Sequence, residues 1–165
     1  MKRVSTVFWV ASLWVVAALL NAVALAASPA SSPLVGRWVL EVDSLPMPPA
    51  ARPKHVSVDF SGAADGKWVT RVDIIEQSGN AMYSQSTLSL DGTPGKAQGT
   101  YWLDVVAAKM PAPNVLVMQF VYEGVPRSTR VYSVSEDGQQ LTETEAYFKD
   151  GTPMMRTALF KRAAP

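Results

Sequence analysis

The chain has 165 residues, 48% of them hydrophobic and 18% charged, with 12 Pro, 10 Gly, one His and no Cys. That length allows one domain. The lack of Cys excludes disulfides, thiolate zinc sites, a cysteine nucleophile and an acylated lipoprotein cysteine, and one His excludes a multi-histidine metal site within the chain. The formal net charge is +1; without Lys2 and Arg3, 13 basic side chains face 14 acidic ones, a balance that excludes strong electrostatic capture of nucleic acid or of an anionic membrane.

The first segment has the three parts of an export signal. Lys2-Arg3 is a basic start, Val7 to Leu20 is apolar except for Ser12, and Ala24-Leu25-Ala26 offers small residues at a cleavage site. Residues 1–26 are therefore expected to be a cleaved signal peptide. The competing reading, an uncleaved anchor helix, is disfavoured by Asn21 and the small alanines that follow it. Residues 27–33 form a Ser/Pro/Ala tail expected to be flexible. Export without cysteine suggests a bacterial periplasm, or secretion. The protein itself then occupies 34–162.

Beyond the tail the chain reads as strands and tight turns. Asp65-Gly66, Ser78-Gly79-Asn80, Asp91-Gly92, Glu123-Gly124, Asp137-Gly138 and Asp150-Gly151 supply positive backbone φ angles for hairpins. Between them lie strand candidates at 34–42, 55–61, 67–77, 81–90, 99–107, 115–123, 127–135, 139–148 and 154–162. Val56, Val58 and Phe60 share one face, as do Leu116, Met118, Phe120 and Tyr122. The connection from Ser44 to Lys54 is long and holds four prolines, and Met110 to Asn114 reads as a second irregular spot. Hairpin-ordered strands escape exposed edges by closing, so the fold expected is an all-β antiparallel up-and-down barrel of about eight to ten strands.

Gly36-Arg37-Trp38 with Leu40 resembles the G-x-W opening of lipocalins. The Pro-rich connection, the Ser135-Glu136-Asp137-Gly138-Gln139-Gln140-Leu141-Thr142 hairpin and the Phe160-Lys161 ending are similar to those of small secreted bacterial lipocalin-like, calycin-type β-barrel proteins. The resemblance covers about 34–162. It implies an antiparallel barrel that binds a small molecule, with no reaction attached. It also implies that Trp38 plugs one barrel end beneath an arginine of the last strand, for which Arg156 and Arg162 are the candidates, through a cation–π contact. Gly36, Trp38, Arg156 and Arg162 are thus structural expectations.

Arg130 and Tyr132 project from one strand face, where a guanidinium and a phenol can hold a carboxylate. The pair resembles the Arg-x-Tyr clamp of fatty-acid-binding proteins, and Met118, Phe120 and Tyr122 would line the apolar part of the same site. Glu143 and Glu145 also share a face, and the plain reading is a solvated strand. His55 stands opposite an apolar face and has no G-x-S-x-G elbow to serve. Trp68, Trp102, Tyr83, Tyr101, Tyr122 and Phe148 are read as core. No catalytic residue, metal site or cofactor is assigned.

The expected function is an exported protein that binds an apolar or amphipathic small molecule. A small hydrophobic ligand is the expected partner, with neither nucleic acid nor a membrane anchor after signal cleavage. The alternatives are a periplasmic protein-interaction module, such as a protease inhibitor or an envelope factor, and an isomerase-type enzyme. An apolar lumen of about 300 Å³ or more favours binding. A packed lumen favours interaction, and convergent titratable groups favour catalysis.

Overall fold

Ten antiparallel strands close on themselves in the computed structural model, which describes residues 31–164. The signal peptide expected over 1–26 and the start of the tail lie outside the described residues. The strands are β1 (Gly36–Leu40), β2 (His55–Gly62), β3 (Trp68–Ile75), β4 (Ala81–Leu88), β5 (Gly95–Gly99), β6 (Val105–Ala112), β7 (Val115–Tyr122), β8 (Val125–Val134), β9 (Gln140–Lys149) and β10 (Thr152–Arg162). Each pairs with its sequence neighbour, and β1 pairs with β10 through Trp38↔Arg162 and Leu40↔Phe160. The up-and-down barrel expected from the turns is therefore present, and closure leaves no sheet edge unpaired.

Two stretches differ from the sequence reading, and the first is 100–104, which lies inside the strand expected over 99–107 but forms the turn between β5 and β6. Gly95–Gly99 forms β5, although two glycines and no β-branched residue give it no strand signal. Met110-Pro111-Ala112 completes β6, and the irregularity expected there takes the form of a register shift between Lys109 and Ala112 that accommodates the proline.

Alternate residues point inward, and the inner faces form the core. Trp38, Phe60, Trp68, Leu116, Met118 and Tyr132 are essentially without solvent contact. Phe60 packs edge-on against Tyr132 at 5.3 Å and tilted against Trp68 at 5.7 Å. Of the aromatics read as core, only Trp68 is buried; Tyr101 and Tyr122 are half-buried, and Tyr83, Trp102 and Phe148 are exposed. The last three fall outside because strand parity or loop position turns them from the lumen.

One end of the barrel is shut by Trp38. Its indole Nε1 donates to the Leu34 carbonyl at 2.8 Å. The Arg162 guanidinium lies 4.1 Å from the ring centroid and donates to the carbonyls of Pro33, Val35 and Gly138. Gly36 has φ 129°, and a Cβ there would stand 2.7 Å from Arg162 Nη1, so only glycine admits the guanidinium. Ser32 of the tail is buried and donates from Oγ to the Pro113 carbonyl at 2.5 Å. From Ser32 onward, the segment expected to be flexible is thus held against the closed end.

The other end is the mouth. It carries the 41–54 connection and the turns at 76–80, 100–104, 123–124 and 150–151. Two short 3-10 turns, Val42–Ser44 and Pro49–Ala51, fold the long connection, and Leu45 drops from it into the barrel. Arg52 fastens it by donating to the Met47 carbonyl at 3.0 Å and to Asp43 at 2.8 Å.

Candidate functional site

The site sits in the mouth half of the lumen, on three neighbouring strands. Cross-strand pairing aligns Met118, Arg130, Glu145 and Arg156 in one inward row, and Leu116, Tyr132, Glu143 and Ala158 in the next. Nearer the mouth the row is Phe120, Ser128, Tyr147 and Met154. What keeps Arg130 inward is a bulge on β8: Phe120 pairs with Ser128 and Val121 with Pro126, so Arg127 is the extra residue. Without that extra residue Arg127 would stand opposite Phe120, and Arg130, opposite Val117, would turn outward.

Glu143 and Glu145 are not a solvated face. Both are buried, because Leu141 on the same parity belongs to the core and fixes that face inward. They meet the arginines there. Arg130 Nη1 is 3.6 Å from Glu143 and Nη2 is 3.0 Å from Glu145. Arg156 Nε donates to the other oxygen of Glu145. Arg156 therefore belongs to the lumen, 5.6 Å from the Tyr147 ring, and not to the Trp38 plug, which Arg162 alone covers. The Arg130 guanidinium also lies 4.9 Å from the Phe120 ring. Two cations and two carboxylates thus share a low-dielectric space, where burial of each charge is offset by its pairing with the others.

The electrostatics follow from that packing. Burial alone would raise the Glu145 carboxyl, but Arg130, Arg156 and hydrogen bonds from Arg156 and Ser128 bring it below its ordinary value of 4.5. Burial pulls the Arg130 guanidinium down, and the Glu143 and Glu145 carboxylates outweigh it and hold the charge. The Tyr132 phenol is pushed well up by burial and by the Glu143 charge, so it stays protonated. All three directions lead away from neutrality.

Three polar atoms of the inner wall have no hydrogen-bond partner of good geometry: Arg130 Nε, Tyr132 Oη and Trp68 Nε1. The Tyr132 hydroxyl is flanked by Glu143 and Arg130 and lies beneath the Arg130 row. Above the cluster a cavity of about 180 Å³ opens beneath the 41–54 connection. Leu40, Leu45, Val58, Val72 and Phe160 give it apolar walls, and Arg130, Glu143 and Arg156 give it one polar side. A second recess of about 350 Å³, between Trp102, Val125 and Phe148, reaches the same arginines from the other side of Tyr101. Among the ligand residues expected from sequence, Arg130 borders both spaces and Phe120 the second. Met118 and Tyr132 are packed below, and Tyr122 is half-buried at the mouth. Sequence reasoning missed Glu143, Glu145 and the lumenal place of Arg156. The inward parity of Leu141, Ala158 and Phe160 carries the signal for all three.

Among the described residues, no group of three His, Cys, Asp or Glu side chains is placed to hold a metal. His55 is half-buried on the barrel wall and lines neither space. Fold and site together define an antiparallel up-and-down barrel, plugged at one end, with a charged, charge-balanced cluster under a small cavity at the other. Comparison of the chain with protein-family models, curated proteins and solved structures finds no match.

Proposed function

We propose that this chain is a lipocalin-like binding protein, exported by residues 1–26 to the periplasm or beyond, that takes a small apolar or amphipathic molecule into the mouth of its barrel. The observation that carries the reading is the cavity of about 180 Å³ with apolar walls and one polar side, beneath a loop that Arg52 fastens. Its volume falls short of the about 300 Å³ that would favour binding outright, which narrows the reading to a short molecule. The packed half of the lumen serves as scaffold. Native mass spectrometry of protein purified from its own envelope tests the reading. A bound small molecule is expected on the wild type and not on Ala158→Met, whose longer side chain fills the cavity. A bare mass for the wild type, with no uptake of added octane, would refute it.

A second reading has its own support. Trp102, Phe148 and Met155 are 64%, 73% and 72% exposed around the mouth, and apolar side chains left open at that scale often meet a partner. An interaction module would use this rim. A photoreactive group at position 148 should then crosslink to a second protein in the intact envelope. Labelling confined to the chain itself removes this reading.

A further inference from the structure

The charge balance of the cluster bears on what the cavity accepts. Arg130 and Arg156 supply two positive charges, and Glu143 and Glu145 supply two negative ones. The terminal nitrogens of Arg130 already face the two glutamates, and its flat side faces Phe120. Its fork is therefore not open to a ligand carboxylate. An acid at Arg130 would have to displace a glutamate and leave it buried without a partner, and one at the terminal nitrogens of the partly exposed Arg156 would set three negative charges against two positive ones, so either is disfavoured. An ammonium would compete with the arginines for carboxylates already engaged. What Arg130 does leave over is one buried donor, the Nε–H, without a partner, on a residue that borders the cavity. A buried donor without an acceptor is destabilising until something accepts from it.

We infer that the lumen selects an uncharged molecule, a short apolar body bearing one hydrogen-bond acceptor such as a ketone, aldehyde or ester carbonyl, which meets Arg130 Nε while the four charges remain paired. This rests on the lumen-binding reading above. The carbonyl oxygen accepts without adding charge, and the apolar walls hold the hydrocarbon. A volume of about 180 Å³ limits the body to a short chain. The carboxylate clamp expected from Arg130 and Tyr132 is thereby replaced by a neutral site, because the carboxylates that Arg130 holds are the protein's own.

The test uses calorimetric titration with probes of equal heavy-atom count: methyl pentyl ketone, hexanoate, n-heptylamine and octane. At neutral pH the ketone should bind at least about tenfold tighter than each of the others. Glu143→Gln leaves the cluster with one excess positive charge and should move the preference toward hexanoate by about tenfold. Hexanoate or heptylamine binding as tightly as the ketone overturns the inference and leaves lumen binding intact. So does octane matching the ketone, since the acceptor would then contribute nothing. If no probe binds, octane included, the binding reading falls and the inference with it. The wild-type series decides the matter even where Glu143→Gln does not fold.

Discussion

Trp38 and Arg162 hold the plug between them, and neither works alone. The indole is fully buried, with its one polar atom satisfied by Leu34, and the guanidinium covers its face while tying three carbonyls together. Trp38→Ala should cost roughly 3–5 kcal/mol in a denaturant titration, the range for deleting a buried large aromatic. Adding Arg162→Met should cost less in that background than in the wild type, by at least about 0.5 kcal/mol, because the two share a contact. Strict additivity would mean that the stacking contributes nothing. Glu145 makes a pH prediction at the same scale. Its carboxyl lies below its ordinary value of 4.5 in the folded chain, so the unfolded chain binds the proton first as pH falls. The stability it contributes is present above about pH 4.5 and is lost as pH drops through the folded value. Glu145→Gln should lower stability at pH 7 by roughly 1–3 kcal/mol. Its stability should also fall less steeply than the wild type's toward pH 3. Parallel acid limbs for the two proteins would contradict this account.

At the scale of strands, the hairpins follow from the dipeptides that make them. Glu123 and Gly124 have φ 51° and 74°, and Asp150 and Gly151 have φ 50° and 76°, the signs that two-residue turns matching strand twist require. Gly124→Ala should therefore cost about 1–2 kcal/mol by forcing a Cβ into the left-handed region, although nothing lies within 4 Å to clash with it. A neutral result would show that this turn does not need its glycine. Such turns and the alternation of β2 and β7 were legible because they are local. Alternation failed on β9 for a physical reason. Thr142-Glu143-Thr144-Glu145 is polar on both faces, so no local contrast tells which side is buried, and only Leu141 and Tyr147 mark the inward parity. Long-range pairing with Arg130 and Arg156 makes burial of the glutamates tolerable, and that pairing exists only once three strands are aligned. β5 was illegible for the opposite reason: it is a strand because its neighbours pair with it, not because Gly-Lys-Ala-Gln-Gly favours one.

At the scale of the whole molecule the two ends of the barrel are held together differently. Its plugged end joins strand ends, tail and last strand through Trp38, Ser32 and Arg162, whereas its mouth is roofed by a single connection. That connection's own backbone pairs are all short-range: Ser44 N–H donates to Glu41 at 2.8 Å, Leu45 N–H to Val42 at 3.3 Å, Met47 N–H to Leu45 at 2.8 Å, Ala51 N–H to Pro48 at 2.9 Å and Arg52 N–H to Pro49 at 3.2 Å. Arg52 gathers it from beneath, with Asp43 and the Met47 and Leu45 carbonyls as partners. Removing the side chain should therefore loosen the roof and not the barrel. Arg52→Ala is expected to lower local stability by about 1–2 kcal/mol, which speeds amide exchange at Leu45, Met47 and Ala51 roughly five- to thirtyfold. Exchange at Val35 and Gly138, by the plug, should stay as it was, because they share no partner with Arg52. A molecule in the cavity would rest against Leu45 and slow the same three amides in the wild type. Equal acceleration at both ends would mean that the barrel opens as one unit, and unchanged exchange under the roof would mean that Arg52 does not hold it.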